Sequence, residues 1–326
     1  MTRVAAVDCG TNTIRLLVAD LIREETGRPR LEPLRRRNEI VRLGQGVDRT
    51  GLLDPAALER TLAVVEDYAA DCAELGVEPG RAARRFVATS ATRDARNRED
   101  FAAGVRSLLG VDPEVVSGQE EAHLSFAGSL LGARGADGGA RRLVVDLGGG
   151  STELVLGVDA PAAAISLNTG SVRITERYLA DGVTPAAEAA ARAEVRGLLD
   201  RAAQAVDLAA TGRLVGLAGT ITTVTAHALG LADFDAEAID GAELAVGAAL
   251  ASCDAIVHST AAERESWAYL RPGRRDVIAA GALVWSEVIG RVVAETTAAG
   301  RPLATVVTSL HDILDGIALS LAVPVP

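Results

Sequence analysis

Short apolar runs separated by turns rich in glycine and hydroxyl side chains form the same pattern at two places in the chain. Residues 3–20 fit an apolar strand that ends in an acidic residue, then a tight turn, then a second apolar strand. Residues 141–159 repeat this pattern. The two copies align Asp8 with Asp146, Gly10 with Gly148 and Thr13 with Ser151. The repeat predicts two β-hairpins, each of which opens a domain.

After each hairpin the pattern changes to alternating helices and strands. From Asp54 and Pro55, which suit an N-cap and a first helical position, apolar residues recur at steps of three and four as far as Leu75 and predict an amphipathic helix. Further helices are predicted at residues 97–109, 120–131, 185–208, 221–229, 242–258, 276–298 and 312–321. Strands are predicted at residues 86–89, 114–117, 163–168, 214–218 and 304–308. This alternation is typical of an α/β fold with open sheets covered by helices.

The length of the chain indicates more than one hydrophobic core. With 326 residues, two domains of about 150 residues each are expected. The glycine-rich stretch 132–139 contains few apolar residues and fits an interdomain boundary. We therefore predict one domain over residues 1–130 and a second over residues 131–309.

The charged residues exclude several kinds of function. A formal net charge of -11 argues against a general binder of nucleic acid or of anionic membranes, because both need a basic surface. All 33 basic side chains are arginine, so the lysine of a Walker A loop, of a protein kinase or of Schiff-base chemistry is missing. Phosphate contacts must then come from backbone amides, hydroxyls, arginine and metal. The basic run Arg35, Arg36 and Arg37 is interpreted as an ordinary surface face.

The cysteines and histidines give no sign of a metal or disulfide framework. Cys9, Cys72 and Cys253 are widely spaced and are predicted to be buried free thiols, and the four histidines are isolated. The N-terminus lacks an extended apolar segment, and no run of about 18 apolar residues occurs. We expect a cytoplasmic enzyme without a membrane or nucleic-acid partner. An uncovered apolar helix face would support a homodimer.

The two glycine turns suit phosphate binding. Missing side chains let an anion approach, while successive amides and hydroxyls point at its oxygens. An acid at the end of a strand would repel phosphate directly but can hold it through Mg²⁺, which takes one or two carboxylates plus substrate oxygens. The candidate residues are Asp8, Gly10, Thr11, Asn12 and Thr13 in the first turn and Asp146, Gly148, Gly149, Gly150 and Ser151 in the second. Two copies predict a clamp around a phosphate chain in a cleft between the domains.

A third glycine motif lies at the junction between a predicted strand and a helix. Gly219 and Thr220 stand where helix N-terminal amides and the helix dipole favour an anion. A plain helix start with a threonine cap explains the same residues equally well.

Two further motifs carry charged side chains after predicted strands. Glu120 and Glu121 open a helix, where acids usually complement the dipole, but one of them could face a cleft and activate water. Arg93 could pair with phosphate oxygens or form a surface ion pair. Gly170, Ser171 and Arg173 stand in a similar setting.

Six of these motifs, in this order, resemble the exopolyphosphatase and guanosine pentaphosphate phosphohydrolase family. They are DCGTNTIRLLVAD, TSATRDARN, SGQEEA, DLGGGSTEL, GSVRITE and LAGTITT. The resemblance implies two ribonuclease H-like domains of the actin-like, sugar kinase and Hsp70 ATPase fold around a cleft. It also implies that the last helix, within residues 310–326, returns to the first domain. The chain resembles the short form without the additional helical domain of the HD type.

The resemblance also implies roles for individual residues. Glu121 resembles the base that activates water, and Asp146 and Glu153 resemble the acids that hold or approach Mg²⁺. The second turn would line the phosphates and the first turn would form the opposing loop, with Arg93 and Gly219 near the cleft wall. The implied activity is hydrolysis of the terminal phosphate of inorganic polyphosphate.

Three alternatives stay open at this point. Guanosine pentaphosphate needs the same chemistry plus a guanosine pocket, which the sequence does not reveal. A phosphotransferase of the same fold would need a separate acceptor site. A non-catalytic sensor of polyphosphate or nucleotides would keep the loops without turnover.

Overall fold

The computed structural model describes residues 1–23, 29–132 and 139–322. The chain forms two compact units, of which the first comprises Met1–Gly128 and the C-terminal helix that begins at Ile313. The second unit comprises Ser129–Asp312. The boundary predicted from the glycine-rich stretch falls largely on residues 133–138, which lie outside the described residues. The division into domains at residues 130/131 and 309/310 stays a prediction.

The first unit is built on a five-stranded mixed sheet. Its strands are β1 (Thr2–Cys9), β2 (Thr13–Arg23), β3 (Pro29–Ile40), β4 (Arg84–Ala88) and β5 (Glu114–Val115). The spatial order is β3-β2-β1-β4-β5. The first three strands pair antiparallel, whereas β4 is parallel to β1 and β5 is parallel to β4. This places the carboxyl ends of β1, β4 and β5 at one edge of the sheet.

Helices cover both faces of this sheet. They are α1 (Val47–Thr50), α2 (Pro55–Glu74), α3 (Ser90–Asp94), α4 (Arg98–Leu109), α5 (Gly118–Ser129) and, at the far end of the chain, α13 (Ile313–Ser320). Asp54 caps α2 as predicted, because its side chain accepts from the amides of Ala56 and Ala57.

The alternation of side chains along β1 divides the apolar core of the first unit. Ala5 and Val7 belong to the cluster that contains residues of α2 and α4, whereas Val4 and Ala6 belong to the cluster that contains residues of α5 and α13. Both faces are therefore buried, which explains why the strand is apolar at nearly every position.

The second unit has a six-stranded sheet of related design. Its strands are β6 (Arg142–Leu147), β7 (Thr152–Gly157), β8 (Pro161–Leu167), β9 (Arg213–Leu217), β10 (Glu243–Ala245) and β11 (Thr305–Thr308). The order is β10-β11-β9-β6-β7-β8, and β6, β7 and β8 pair antiparallel. The parallel strands β9 and β11 follow on the other side of β6. The two sheets share the order third-second-first-fourth strand, which is that of a ribonuclease H-like domain, as the family resemblance implies.

The helices of the second unit enclose this sheet. They are α6 (Ser171–Ile174), which continues into a π-helical turn, α7 (Pro185–Ala205), α8 (Ala218–Ala228), α9 (Ala236–Ile239), α10 (Val246–Val257), α11 (Ala261–Ser266) and α12 (Ile278–Ala298). Trp285 of α12 is 1% exposed and is among the largest buried side chains. Neither α12 nor any other helix in the described ranges has the length and hydropathy needed to span a bilayer.

Two strands depart from the sequence-based expectation. Strand β3 was not predicted, and Glu243–Ala245 forms strand β10 although residues 242–258 fit a helix. Leu244 is buried in β10 and pairs with Val306 of β11. Pairing at the sheet edge therefore overrides the helix-forming composition of this segment.

The arginine run of β3 is ion-paired rather than freely solvated. Arg35 contacts Asp71 and Glu74 of α2, and Arg37 also contacts Asp71. Arg36 points to the opposite face, where its Nη2 lies 2.5 Å from a carboxylate oxygen of Asp315 in α13. The three arginines thus attach the strand to helices on both faces.

The three cysteines are buried free thiols, as predicted. Burial raises the pKa of the Cys72 thiol to about 11 and that of Cys253 to about 12. Burial also raises the pKa of Cys9. These thiols are therefore protonated and unreactive near neutral pH.

Candidate active site

The first glycine turn, between β1 and β2, is held by the segment that follows β3. The amide of Gly10 donates to the carbonyl of Thr13 across the turn at 2.9 Å. The carbonyl of Asn12 accepts from the amides of Val41 and Arg42, and the carbonyl of Thr11 accepts from the amide of Gly44, at 2.8–3.0 Å. The carbonyls of Thr11, Asn12 and Thr13 therefore all accept hydrogen bonds within the protein.

The turn also lies against the start of α3. The Thr11 and Ser90 hydroxyl oxygens are 2.9 Å apart. A Cβ at Gly44 would lie 2.4 Å from the Thr11 methyl carbon, so only glycine fits there without displacement. Within the described ranges the amides of Thr11 and Asn12 have no hydrogen-bond acceptor. These two donors are available to a ligand.

The second glycine turn, between β6 and β7, repeats this arrangement. The amide of Gly148 donates to the carbonyl of Ser151 at 3.0 Å. The carbonyls of Gly148 and Gly149 accept from amides of the Ser171–Arg173 segment at 2.9–3.1 Å. The Arg173 Nε donates to the carbonyl of Gly150 at 2.9 Å. The segment after the third strand thus engages every carbonyl of the Gly148–Gly150 run.

The carbonyls of the second turn are hydrogen-bonded within the protein, and three of its amides remain for a ligand. Among the residues that the structure describes, no acceptor contacts the amides of Gly149, Gly150 and Ser151. Successive unengaged amides in a turn form a concave site for an anion. Gly170 allows this packing, because a Cβ there would lie 2.6 Å from the carbonyl atoms of Gly149.

Beside each glycine turn, two polar residues are opposite each other on the strands that the turn connects. The two pairs differ in charge. In the first unit Asp8 is opposite Arg15, whose Nε and Nη2 both donate to one carboxylate oxygen at 2.9 and 2.6 Å. In the second unit Asp146 is opposite Glu153. Arg15 is therefore the counter-ion of Asp8 and holds its carboxylate in place.

The acidic pair of the second unit fits a divalent cation. Asp146 is 7% exposed and Glu153 is 1% exposed, and like charges directly opposite on adjacent strands destabilise a sheet. Two carboxylates suit Mg²⁺, which keeps several waters and completes its shell with substrate oxygens. The described residues contain no group of three or more His, Cys, Asp or Glu side chains that would form an all-protein metal cage.

The adjacent acids of α5 take different positions. The Glu120 side chain is 47% exposed and its carboxylate accepts from Arg85 at 2.8 Å. The Glu121 side chain is 9% exposed and lies 3.3 Å from Nη1 of Arg93. Arg93 also donates to the carbonyl of Val116 at 2.8 Å. Arg93 of α3 and Glu121 thus meet beyond the ends of β4 and β5.

The third glycine motif lies where β9 ends and α8 begins. Leu217 pairs with Asp146, so the motif starts beside the acidic pair. The helix begins at Ala218, which has a positive φ of 73°, and its N-cap Leu217 forms no side-chain cap. The threonine-cap explanation is therefore wrong, and Thr220 is buried instead.

The guanidinium of Arg274 lies directly over Gly219. A Cβ at Gly219 would be 0.8 Å from Nη1 of Arg274, so any side chain there must displace the guanidinium. An arginine beside helix N-terminal amides is an arrangement that binds phosphate oxygens.

Replacing Gly219 by alanine is expected to lower kcat/KM for phosphate release by about 10- to 100-fold, the effect of losing one charge-assisted hydrogen bond. The fold should survive, because a flexible arginine can move. Gly290→Ala in α12, where a Cβ meets nothing within 4 Å, is the matched control. If Gly219→Ala retained full activity, or if Arg274→Ala did, the role of Arg274 would be excluded.

The structure divides the predicted site residues between the two units, and only the turns and the acids Asp8 and Asp146 occupy equivalent positions. Asp8, the first turn, Arg93 and Glu121 lie in the first unit, and the second turn, its acidic pair, Gly219 and Thr220 lie in the second. Sequence reasoning missed Arg15 and Arg274. Arg15 aligns with Glu153 in the repeat, so the alignment itself carried a signal, whereas Arg274 had only a local arginine-rich run.

Comparison with known proteins shows the family to which the chain belongs. The model of the Ppx/GppA phosphatase family matches residues 21–297. Exopolyphosphatase 2 of Mycobacterium tuberculosis is 45% identical, with 99% of each chain covered. The crystal structure of an exopolyphosphatase-like protein has a TM-score of 0.90 at 41% identity and 98% coverage of both chains. The Aquifex aeolicus PPX-GPPA enzyme has a TM-score of 0.76 at 26% identity, with 98% of this chain and 99% of that chain covered. The chain belongs to the Ppx/GppA phosphatase family.

Proposed function

We propose that this protein is a Mg²⁺-dependent exopolyphosphatase, which hydrolyses the terminal phosphate of inorganic polyphosphate and releases orthophosphate. The observation that carries the proposal is that, in both glycine turns, carbonyls accept hydrogen bonds within the protein while the amides that follow the first glycine meet no acceptor among the described residues. Membership of the family and the 45% identity to a named exopolyphosphatase support the choice of substrate.

The turns account for phosphate binding. Unengaged amides of Thr11 and Asn12 in one turn, and of Gly149, Gly150 and Ser151 in the other, donate to anionic oxygens without adding a full charge. Arg274, over the start of α8, adds a cationic donor. Each of the two units carries one such turn.

Asp146 and Glu153 would hold the magnesium ion. When bound, Mg²⁺ neutralises charge on the phosphate oxygens. The carboxylates are suited to this role because they are buried and directly opposite each other. Asp8 is less suited, since Arg15 already engages its carboxylate.

Glu121 would act as the general base that deprotonates the attacking water. Its side chain is largely buried, and the contact with Arg93 fixes it at the start of α5. Phosphoryl transfer depends mainly on positioning and charge stabilisation, so amides, arginine, metal and one base suffice. A homodimer and a cytoplasmic location stay predictions from the sequence.

The decisive experiment measures orthophosphate release in Mg²⁺ from polyphosphates of defined length, guanosine pentaphosphate and ATP in parallel. Polyphosphate is expected to give the highest kcat/KM, and chelation of the metal is expected to abolish release. Faster turnover of guanosine pentaphosphate would reassign the substrate within the family. Loss of the terminal phosphate only in the presence of an acceptor alcohol or acid, with the phosphoryl group recovered on that acceptor and not as orthophosphate, would indicate a phosphotransferase. Tight binding without turnover would indicate a sensor.

A further inference from the structure

Ser166 on strand β8 contacts the buried carboxylate of Glu153. The register places Ser166 directly opposite Glu153, and its hydroxyl donates to Oε1 at 2.7 Å. Glu153 itself is 1% exposed. The row across the second sheet is therefore Asp146, Glu153 and Ser166, with the hydroxyl on the far side of Glu153 from Asp146.

We propose that Ser166 is a positioning residue that orients Glu153 for the divalent cation and thereby sets the affinity of the site for metal. The inference rests on the proposed function in assigning Glu153 to the metal. In this role Ser166 acts through the carboxylate of Glu153, to which its hydroxyl donates.

The corresponding row of the first unit shows why a hydroxyl is suited to this task. There the acid Asp8 is opposite Arg15, and Arg15 is opposite Asn38. The guanidinium cancels the charge of Asp8, which suits a structural ion pair. A hydroxyl is neutral, so it fixes the direction of a carboxylate and stabilises its charge but leaves that charge for a cation.

The hydrogen bond also restricts rotation of the Glu153 carboxylate. A glutamate has three side-chain torsions, and the last of them is broad. Bonding Oε1 to a residue of the neighbouring strand selects one orientation before the metal arrives. Removal of such outer partners of metal ligands lowers metal affinity by about 10- to 100-fold.

The test compares Ser166→Thr with Ser166→Val, two β-branched side chains of nearly equal shape that differ in the hydroxyl. The direct readout is the Kd for Mn²⁺ of the full chain, measured by electron paramagnetic resonance. Ser166→Thr is expected to bind Mn²⁺ as the wild type does, and Ser166→Val is expected to raise Kd by about tenfold. Ser259→Ala, whose hydroxyl donates to the carbonyl of Ile256 elsewhere in the second unit, is the control.

Steady-state kinetics distinguish a loss of metal affinity from a general loss of active enzyme. In Ser166→Val the KM for Mg²⁺ should rise by a similar factor, while kcat at saturating Mg²⁺ stays within about twofold of the wild type. Equal Mn²⁺ affinity of Ser166→Thr and Ser166→Val would overturn the inference. A fall in the kcat of Ser166→Val that excess Mg²⁺ does not restore would also overturn it. If the wild type hydrolyses no phosphate, the proposed function fails, but the Mn²⁺ comparison still decides the role of Ser166.

Discussion

Replacing Glu121 by glutamine is expected to lower kcat for phosphate release by about 10²- to 10⁴-fold, the contribution of a positioned general base. Glutamine has the same shape and can still meet Arg93, but it cannot accept the proton of the attacking water. The affinity for tripolyphosphate, measured by calorimetry with Mg²⁺ present, should stay within a few-fold of the wild type. The substitution thus separates chemistry from binding.

Glu120→Gln is the matched control, since it is the same change at the adjacent position. The Glu120 carboxylate is exposed and pairs with Arg85, and exposed pairs of this kind contribute about 0–1 kcal/mol to stability. Turnover by Glu120→Gln should match the wild type. Unchanged turnover by Glu121→Gln, or equal losses in both variants, would remove Glu121 from the mechanism.

Replacing Gly170 by alanine is expected to abolish most phosphate binding at the second turn and to lower the free energy of unfolding by about 2–3 kcal/mol. The new Cβ would lie 2.6 Å from the carbonyl carbon and oxygen of Gly149 and 2.7 Å from the carbonyl oxygen of Gly148. Both contacts are with backbone, which cannot rotate away. The turn must therefore move, and its amides lose their direction.

Gly197→Ala in α7 controls for the substitution itself. A Cβ at Gly197 meets nothing within 4 Å, and alanine is the better helix former by about 1 kcal/mol. Denaturant unfolding should show stabilisation by Gly197→Ala and destabilisation by Gly170→Ala. Wild-type stability and phosphate affinity in Gly170→Ala would mean that the tight packing against the turn is not required.

The elements that the sequence predicts best are those whose apolar pattern and turn chemistry agree. The hairpins at residues 3–20 and 141–159 are of this kind, and the alignment of Gly10 with Gly148 and of Thr13 with Ser151 is matched by equivalent hydrogen bonds across both turns. The pairing of glycine with a hydroxyl residue three positions later is local, so it is visible in sequence. Adjacent acids in α5 likewise diverge, as helical geometry requires.

Strand β3 was missed because its sequence carries prolines and charges instead of an apolar alternation. Its arginines are satisfied by Asp71, Glu74 and Asp315, partners that lie more than 30 positions away in sequence. Its pairing with β2 also cannot be predicted from the sequence of the strand alone. Tertiary ion pairs thus stabilise a strand that local propensity does not indicate.

The arginines of the site could not be assigned for a similar reason. The role of Arg15 depends on the register that sets it opposite Asp8, and that of Arg274 depends on its approach to Gly219, which is 55 positions earlier in the chain. Among 33 arginines Arg274 has no distinguishing local signature, whereas the repeat marks Arg15 only by aligning it with Glu153. The contacts that the two arginines make appear only in the folded structure.

The contrast between Asp8 opposite Arg15 and Asp146 opposite Glu153 bears on how the protein arose. Equivalent strand orders, turns and cross-strand positions in both units are what duplication of one ancestral module would leave. Under the proposed function, the two copies differ by opposite charges at one position. Arg15 neutralises Asp8 in one copy, whereas Glu153 and Asp146 would bind a cation in the other. Under the proposed function, the two units therefore differ in role through the residue opposite an equivalent acid, and not through a different loop.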